Sequence, residues 1–157
     1  MDKDITTDFN TDERLGAEAC RYFSDWLTNK SIRYTPATTE QQHQGIDIVT
    51  ELHTYEVKHQ TYDTSIIIEE SSMHGAGSGW IYKSQAMYLI EVSPNRDKFF
   101  KMDMSELKYF YAKCSHNYKL HNNYMTNGNR GDNWISTFKC IQLSSIMGFV
   151  NIDTFLL

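Results

Sequence analysis

Alternating polarity between residues 46 and 60 is the most informative pattern in the chain. The pattern consists of two successive runs. Alternate positions are mostly apolar and are occupied by Ile46, Ile48 and Leu52 in the first run and by Tyr55, Val57 and His59 in the second. Because successive side chains of a β-strand point to opposite faces, each run predicts a half-buried strand. The intervening positions are polar and are occupied by Asp47, Glu51, Glu56, Lys58 and Gln60.

Helical and strand periodicities place the other elements around these two strands. Residues 1–10 are predicted to be a flexible arm, and apolar residues at helical spacing predict a helix from Thr11 to Asn29. Further strands are predicted at 32–35, 64–69, 86–92, 98–102 and 134–143, with helices at 105–113 and from 143. Residues 70–79 and 115–133 are predicted to be loops. The pattern predicts a single α/β domain, residues 11–157, with a central mixed β-sheet flanked by helices.

The register of the hairpin decides whether its polar residues meet. An even loop places Asp47 opposite Lys58 and Val49 opposite Glu56, so that both carboxylates and the ammonium share one face of the sheet. An odd loop would place them on opposite faces. We predict the even loop, and with it a convergence of Asp47, Glu56 and Lys58.

Two carboxylates beside an ammonium are suited to phosphodiester cleavage. Mg²⁺ prefers one or two carboxylates plus water and substrate oxygens, and it activates water for attack. Lys58 would orient or deprotonate that water, or stabilise the charged transition state. The alternative is a solvated strand face, since the Glu-X-Lys spacing also occurs at Glu106–Lys108, where a predicted helix separates the two side chains.

The order of these features resembles the PD-(D/E)XK nuclease superfamily, which has the restriction-endonuclease-like fold. A helix containing Glu18 comes first, Gly45-Ile46-Asp47 follows on one strand, and Glu56-Val57-Lys58 lies on the next. The likeness covers about residues 12 to 92 and is greatest to small resolvase-like and phage-type members. Ile46 stands where the family nominally has proline.

This resemblance implies roles for particular residues. Asp47, Glu56 and the Val57 carbonyl would hold Mg²⁺, with Mn²⁺ able to substitute, and Glu18 would join Asp47, Glu56 and Lys58 as a catalytic residue. Glu18 has an alternative as a surface partner of Arg14 or Arg21. Candidate substrate contacts are Gln60, by its parity with Lys58, and Lys83, Ser84 and Gln85, which have a surface turn as their alternative. Glu69 would add a carboxylate or lie solvated at a strand end.

The resemblance also implies a biological role in DNA processing. The net negative charge of the chain is evidence against that role. A DNA endonuclease of recombination, repair or mobile-element processing is expected, working as a homodimer by analogy. The chain has 15 basic and 20 acidic residues, a net charge of −5, whereas nucleic-acid binders usually carry a basic surface. Two alternatives are therefore kept: a catalytically inactive nuclease-fold protein that binds a viral or host protein partner, and a ribonuclease.

Length and composition predict one sizeable core in an intracellular protein. Of 157 residues, 40% are hydrophobic and 13% aromatic. Cys20, Cys114 and Cys140 are widely spaced and odd in number, which favours free thiols in a reducing compartment. The acidic N-terminus does not resemble a secretory signal, and no apolar run approaches the length of a membrane span. A soluble cytoplasmic protein is expected.

Overall fold

The computed structural model of this chain describes residues 4–72, 77–126 and 133–157. These residues form an α/β structure with two mixed β-sheets and flanking helices, which confirms the predicted fold class. The helices are α1 (Phe9–Asn29), α2 (Thr39–His43), α3 (Trp80–Lys83), α4 (Met104–Cys114) and α5 (Leu143–Ile146), with a 3-10 turn at Ser115–Asn117. No helix within the described ranges is both long and apolar enough to span a membrane.

The six-stranded sheet contains the predicted hairpin. Its members, in chain order, are β2 (Tyr34–Pro36), β3 (Ile48–Thr50), β4 (Thr54–His59), β7 (Tyr88–Val92), β8 (Lys98–Asp103) and β11 (Ile152–Leu156). Their spatial order is β11-β8-β7-β4-β3-β2. β4 and β7 are parallel, and every other neighbouring pair in this sheet is antiparallel.

The five-stranded sheet is built from strands distant in sequence. It contains β1 (Ile5–Asp8), β5 (Ser65–Ser72), β6 (Gly77–Ser78), β9 (Leu120–Thr126) and β10 (Trp134–Gln142). Their spatial order is β1-β9-β10-β5-β6, with β1 and β9 parallel. The predicted single central sheet is therefore replaced by two sheets.

The N-terminal segment is a correction to the sequence prediction. Residues 5–8, predicted to lie in a flexible arm, pair with Asn123 to Thr126 as β1. The following helix begins at Phe9, because the Asp8 carboxylate accepts a hydrogen bond from the Thr11 N–H and caps the helix two residues before the predicted start. Pairing with β9 orders this segment, and the prediction missed β9 itself.

Other element boundaries differ from the predicted ones, mainly where a polar sequence forms a strand or helix that the pattern did not predict. β9 lies in the stretch predicted to be a loop, and β11 and α2 were not predicted. A capping box at Thr38 and Gln41 stabilises α2 within a polar connection. Asp103 caps α4, which begins at Met104, one residue before the predicted start. Part of the predicted loop at 70–79 is instead β5 and β6, and residues 73–76 lie outside the described ranges.

An aromatic core fixes α1 against one face of the six-stranded sheet. Phe23 packs edge-on against Tyr55 at 5.0 Å and against Phe99 at 5.2 Å between ring centroids. Val57 of β4 and Leu27 of α1 are buried in the same cluster. This face of β4 is therefore apolar and closed by α1.

A second core lies on the other face of the same sheet. It joins Leu89 of β7 and Met102 of β8 to Ile66 and Ile68 of β5, and Leu107 of α4 packs there too. Glu56 is paired in register with Leu89, so its side chain points towards this second face. The polar parity of β4 is thus directed into the interior between elements of both sheets.

Candidate active site

The hairpin has an even loop, but its register differs from the predicted one by two residues. Ile48 pairs with Tyr55 and Val49 with Thr54, and the Thr50 N–H donates to the His53 carbonyl. The predicted opposition of Val49 to Glu56 is therefore wrong. A two-residue shift preserves side-chain parity, so the polar residues remain on one face.

Asp47 is attached to β4 by both its backbone and its side chain. Its N–H donates to the Tyr55 carbonyl, and its carboxylate Oδ2 accepts a hydrogen bond of 2.7 Å from the Val57 N–H. The preceding Gly45 adopts φ +70°, and a Cβ there would lie 2.9 Å from the Ser84 Cα. Glycine is thus required two residues before Asp47 by both conformation and space.

Glu56 and Lys58 form an ion pair on the polar face of β4. Lys58 Nζ lies 2.7 Å from Glu56 Oε1, and Glu56 is only 2% exposed, whereas the Lys58 side chain is 36% exposed. Glu56 Oε2 is buried and accepts no hydrogen bond from any described residue. A buried carboxylate oxygen without a donor is costly, so this atom favours a bound cation or water.

Two further glutamates complete a carboxylate cluster around Lys58. Glu91 of β7 pairs in register with Lys58 and is 2% exposed. Burial raises the pKa of Glu91 to about 8, with Lys58 opposing the rise and Glu56 adding to it. Burial likewise raises the pKa of Glu69 on β5, against the attraction of Lys58. We call Asp47, Glu56, Glu69 and Glu91 the carboxylate cluster.

Lys58 remains protonated in this setting. Burial acts to lower the pKa of its ammonium, but the charge of Glu56, their hydrogen bond and the charges of Asp47 and Glu69 raise it above its usual value. An ammonium with a raised pKa is a poor base. The arrangement therefore suits Lys58 for stabilising negative charge or orienting water rather than for removing a proton.

A groove beside Lys58 gives solvent access to Lys58, Glu69 and Glu91. Its walls include Thr7 of β1, Asp12 of α1, Glu69 and Glu91, together with Trp80, whose ring centroid lies 5.9 Å from Lys58 Nζ. His59 also lines it and binds Asp12 through Nε2 at 2.8 Å. The ionisable side chains that line the groove are therefore acidic except for Lys58 and His59.

The donor set fits a hard divalent cation at Asp47 and Glu56. Strand residues direct N–H and C=O to the same edge, and the Val57 N–H faces Asp47, so the Val57 carbonyl lies on the Asp47 side of β4. Together with the unpartnered Glu56 Oε2, this gives oxygen ligands of the kind that Mg²⁺ accepts. In the described ranges no three His, Cys, Asp or Glu side chains form a complete metal-holding group, so water or substrate oxygens would complete the coordination.

Glu18 lies away from this arrangement. It forms ion pairs with Arg14 at 2.8 Å and with Arg96 of the β7–β8 turn. Glu18 is therefore a surface ion-pair partner, as its alternative interpretation predicted, although its second partner is Arg96 and not Arg21. The α1 acid that lines the groove is Asp12, in the first turn of the helix.

The predicted substrate contacts separate into buried and exposed residues. Gln60 is 3% exposed and donates through Nε2 to the Ser65 carbonyl, while buried Ser84 donates to the Gly45 carbonyl. Ser84 is therefore a structural residue, and solvent does not reach it. Lys83 and Gln85 are exposed, and the charge of Lys83 acts on Glu69.

Comparisons with known proteins identify no relative. The chain matches no protein-family model, no curated protein and no solved structure. The functional argument therefore depends on the residues of the site and their geometry.

Sequence reasoning missed Glu91 as a site residue. Its signal was a lone acid in the apolar run from Tyr88 to Val92, which predicted a core strand. An acidic residue inside such a strand is buried only in special surroundings, and here Glu91 lies in register with Lys58, whose charge acts on it. Tyr55 of β4 pairs with Tyr88 of β7, and this long-range pairing could not be read from either strand alone.

Proposed function

We propose that this protein is a Mg²⁺-dependent nuclease that hydrolyses phosphodiester bonds in DNA. The observation that carries the proposal is the meeting of Asp47, Glu56 and Lys58 on one face of β3 and β4, with Glu56 Oε2 buried and unpartnered in the described structure. This is the constellation on which the resemblance to PD-(D/E)XK nucleases was based. Recombination, repair or mobile-element processing and a homodimeric assembly belong to the same proposal, by analogy.

Charge balance supports a cation at this site. Four acidic side chains surround one ammonium, and the raised pKa values of Glu69 and Glu91 reflect the cost of burying negative charge there, so that Glu91 is protonated near neutral pH when no cation is bound. A divalent cation would offset that charge, and once bound it would activate water and neutralise the phosphate. Asp47 and Glu56 would hold it, with the Val57 carbonyl beside them.

Lys58 would act on the reacting phosphate. Its ammonium is held by Glu56 at 2.7 Å, and its side chain reaches the groove. A fixed positive charge next to a phosphorane-like transition state stabilises the charge that develops on the non-bridging oxygens. Asp47 keeps β3 in register with the Glu-Val-Lys segment through its bond to the Val57 N–H.

A second candidate is a nuclease-fold protein that binds a protein partner without catalysis. The acidic groove favours it, because Asp12 and Glu69 would repel phosphates if no cation were bound. A basic partner surface would suit that groove. Metal-dependent cleavage separates the two candidates.

The test is cleavage by wild type, Lys58→Met and Lys113→Ala over a Mg²⁺ and Mn²⁺ titration. Substrates are supercoiled plasmid, linear duplex, branched and single-stranded DNA, and RNA. Lys58→Met should lower turnover by about 10²-fold or more, because a charge used in the transition state is lost. Lys113, an exposed lysine of α4, serves as the matched loss of one positive charge, and its variant should cleave like wild type.

Metal binding is measured separately. Asp47→Asn and Glu56→Gln should weaken Mn²⁺ binding, followed by electron paramagnetic resonance, and Lys58→Met should not. Circular dichroism verifies that each variant is folded. Equal cleavage by wild type and Lys58→Met would indicate a contaminating nuclease, and absence of Mn²⁺ binding by wild type would favour the binding-protein candidate.

A further inference from the structure

β11 forms one edge of the six-stranded sheet, and half of its backbone groups face outward. The Leu157 N–H donates to the Asp97 carbonyl, so hydrogen bonding to β8 falls on the odd-numbered residues of β11. The N–H and C=O groups of Ile152, Thr154 and Leu156 therefore point away from β8. No other described strand pairs with this side of β11.

The other three sheet edges of the described structure are shorter or blocked. β2 has three residues and ends at Pro36, which lacks an N–H donor, and β6 has two described residues. β1 has four residues and ends at the charged Asp8. β11 has five residues without proline, lysine or a bulge, and its one charged residue, Asp153, lies in register with Lys101 of β8. An edge strand without such protection readily pairs with another strand.

Large apolar side chains are exposed in β11 and in the turn before it. Leu156 is 79% exposed, and Met147 and Phe149 are 65% and 66% exposed. Leu156 shares a sheet face with Ile152, which pairs in register with the buried Met102. Exposed apolar side chains that are grouped in this way mark protein–protein interaction sites.

The sequence of β11 is complementary to a second copy of itself. In antiparallel pairing about a two-fold axis at Thr154, Ile152 of each copy faces Leu156 of the other, and all three outward residues exchange backbone hydrogen bonds. Asp153 then faces Phe155 of the other copy. An axis at Asp153 would place two like charges directly opposite each other, and an axis at Phe155 would leave Ile152 unpaired. The axis at Thr154 is therefore favoured.

We infer that two copies of this chain form a homodimer through antiparallel pairing of β11 with β11, with Thr154 at the two-fold axis. The two six-stranded sheets then become one continuous sheet. β8 and β7 separate β11 from β4, so both copies of the site at Lys58 lie outside the interface. The inference supplies an interface for the homodimer of the proposed function, and it does not depend on nuclease activity because assembly requires no substrate.

Sedimentation equilibrium of the full chain tests the assembly. Wild type should reach twice the monomer mass of 18.3 kDa. Leu156→Lys should raise the dimer dissociation constant by about tenfold or more, because lysine on an edge strand opposes pairing. Leu52→Lys makes the same change at a 75% exposed position in the β3–β4 loop and should leave dimerisation unchanged.

Thr154→Pro is a second disrupting variant, since it removes an outward N–H and leaves the hydrogen bonds to β8 intact. It should weaken dimerisation as Leu156→Lys does, with folding verified by circular dichroism. A monomeric wild type would overturn the inference. Unchanged dimerisation in both folded β11 variants would overturn it too, because another surface would then hold the copies together.

Disulfide cross-linking tests the register. Thr154→Cys should form a covalent dimer under mild oxidation, because facing Cα atoms about 5.5 Å apart suit a disulfide. Thr35→Cys, on the exposed edge strand β2, and Asp153→Cys, one residue from the axis, should give much less. Wild type controls for the three native cysteines. Cross-linking of Thr154→Cys that does not exceed these controls would contradict the pairing.

Amide hydrogen exchange gives a readout for each residue of β11. The amides of Ile152, Thr154 and Leu156 should be protected in the dimer and exchange faster on dilution, whereas those of Asp153 and Phe155 should be protected at every concentration. Protection of the outward amides only when a different protein is added would assign the edge to that protein and overturn the inference. Cleavage by a monomer would contradict this interface alone, and a β11 dimer that cleaves no substrate would contradict the nuclease proposal alone.

Discussion

The two faces of β4 differ in what they contribute to the protein. On one face, Tyr55 and Val57 pack against Phe23 and Phe99 beneath α1. On the other face, only one residue away along the chain, Glu56 is buried with Lys58. The same strand therefore holds an aromatic core and a charged cluster on opposite sides.

This difference separates stability from chemistry. Burial of a large apolar side chain contributes about 1.5–3 kcal/mol to folding, whereas a buried ion pair roughly breaks even because desolvation offsets its attraction. The α1 face stabilises the strand, and the charged face depends on that support. Asp47 illustrates the link, since its carboxylate accepts the Val57 N–H while the Val57 side chain packs in the aromatic core.

The largest effect on stability is expected from the apolar face. Phe23→Ala removes a fully buried ring that contacts Tyr55 and Phe99, so it should lower the free energy of unfolding by about 3–5 kcal/mol. Urea denaturation measures the loss. Tyr109→Ala, which removes an exposed ring on α4, should change stability by no more than about 0.5 kcal/mol. Similar losses in both variants would contradict the division between the faces.

A pH-dependent effect is expected from Glu91 on the charged face. Its pKa is about 8 in the folded protein against an ordinary value of 4.5, so unfolding releases a proton between these values. Wild type should therefore lose stability as pH rises from about 5 to 8, relative to Glu91→Gln, by up to about 1.4 kcal/mol per pH unit. Urea denaturation of metal-free protein at several pH values measures the difference.

Glu40→Gln is the matched control for this experiment, because Glu40 lies exposed on α2. Its stability should stay within about 0.5 kcal/mol of wild type at each pH. A constant difference between Glu91→Gln and wild type across the range would mean that Glu91 titrates alike in folded and unfolded chains, and the charged face would then lack the expected desolvation.

The smallest effect is expected from Glu18. Its ion pairs with Arg14 and Arg96 are partly exposed, so Glu18→Ala should lower the free energy of unfolding by no more than about 1 kcal/mol. It should also leave the Mn²⁺ affinity of the metal site proposed at Asp47 and Glu56 unchanged. If Mn²⁺ affinity fell as far as in Glu56→Gln, Glu18 would belong to the metal site, as the resemblance implies.

Local patterns determined the strands of the hairpin and the shared face of Asp47, Glu56 and Lys58. The period-two alternation of a strand determines which side chains share a face. The predicted register of the β3–β4 hairpin was wrong by two residues, and a shift of two leaves each side chain on the same face. The helix that ends at Asn29 was equally readable, because its apolar residues repeat at helical spacing. Both features depend on residues close in sequence.

Tertiary structure alone decided which distant residues complete the site and how the strands divide into sheets. Glu91 meets Lys58 only because β7 pairs with β4, and Asp12 reaches the groove only because α1 binds His59. β9 is a strand despite its polar sequence because β1 and β10 satisfy its backbone on both sides. Strand pairing and charge burial depend on groups that are far apart in the chain and that folding brings together. The periodicity of a single sequence therefore does not predict which strands pair or which charges are buried.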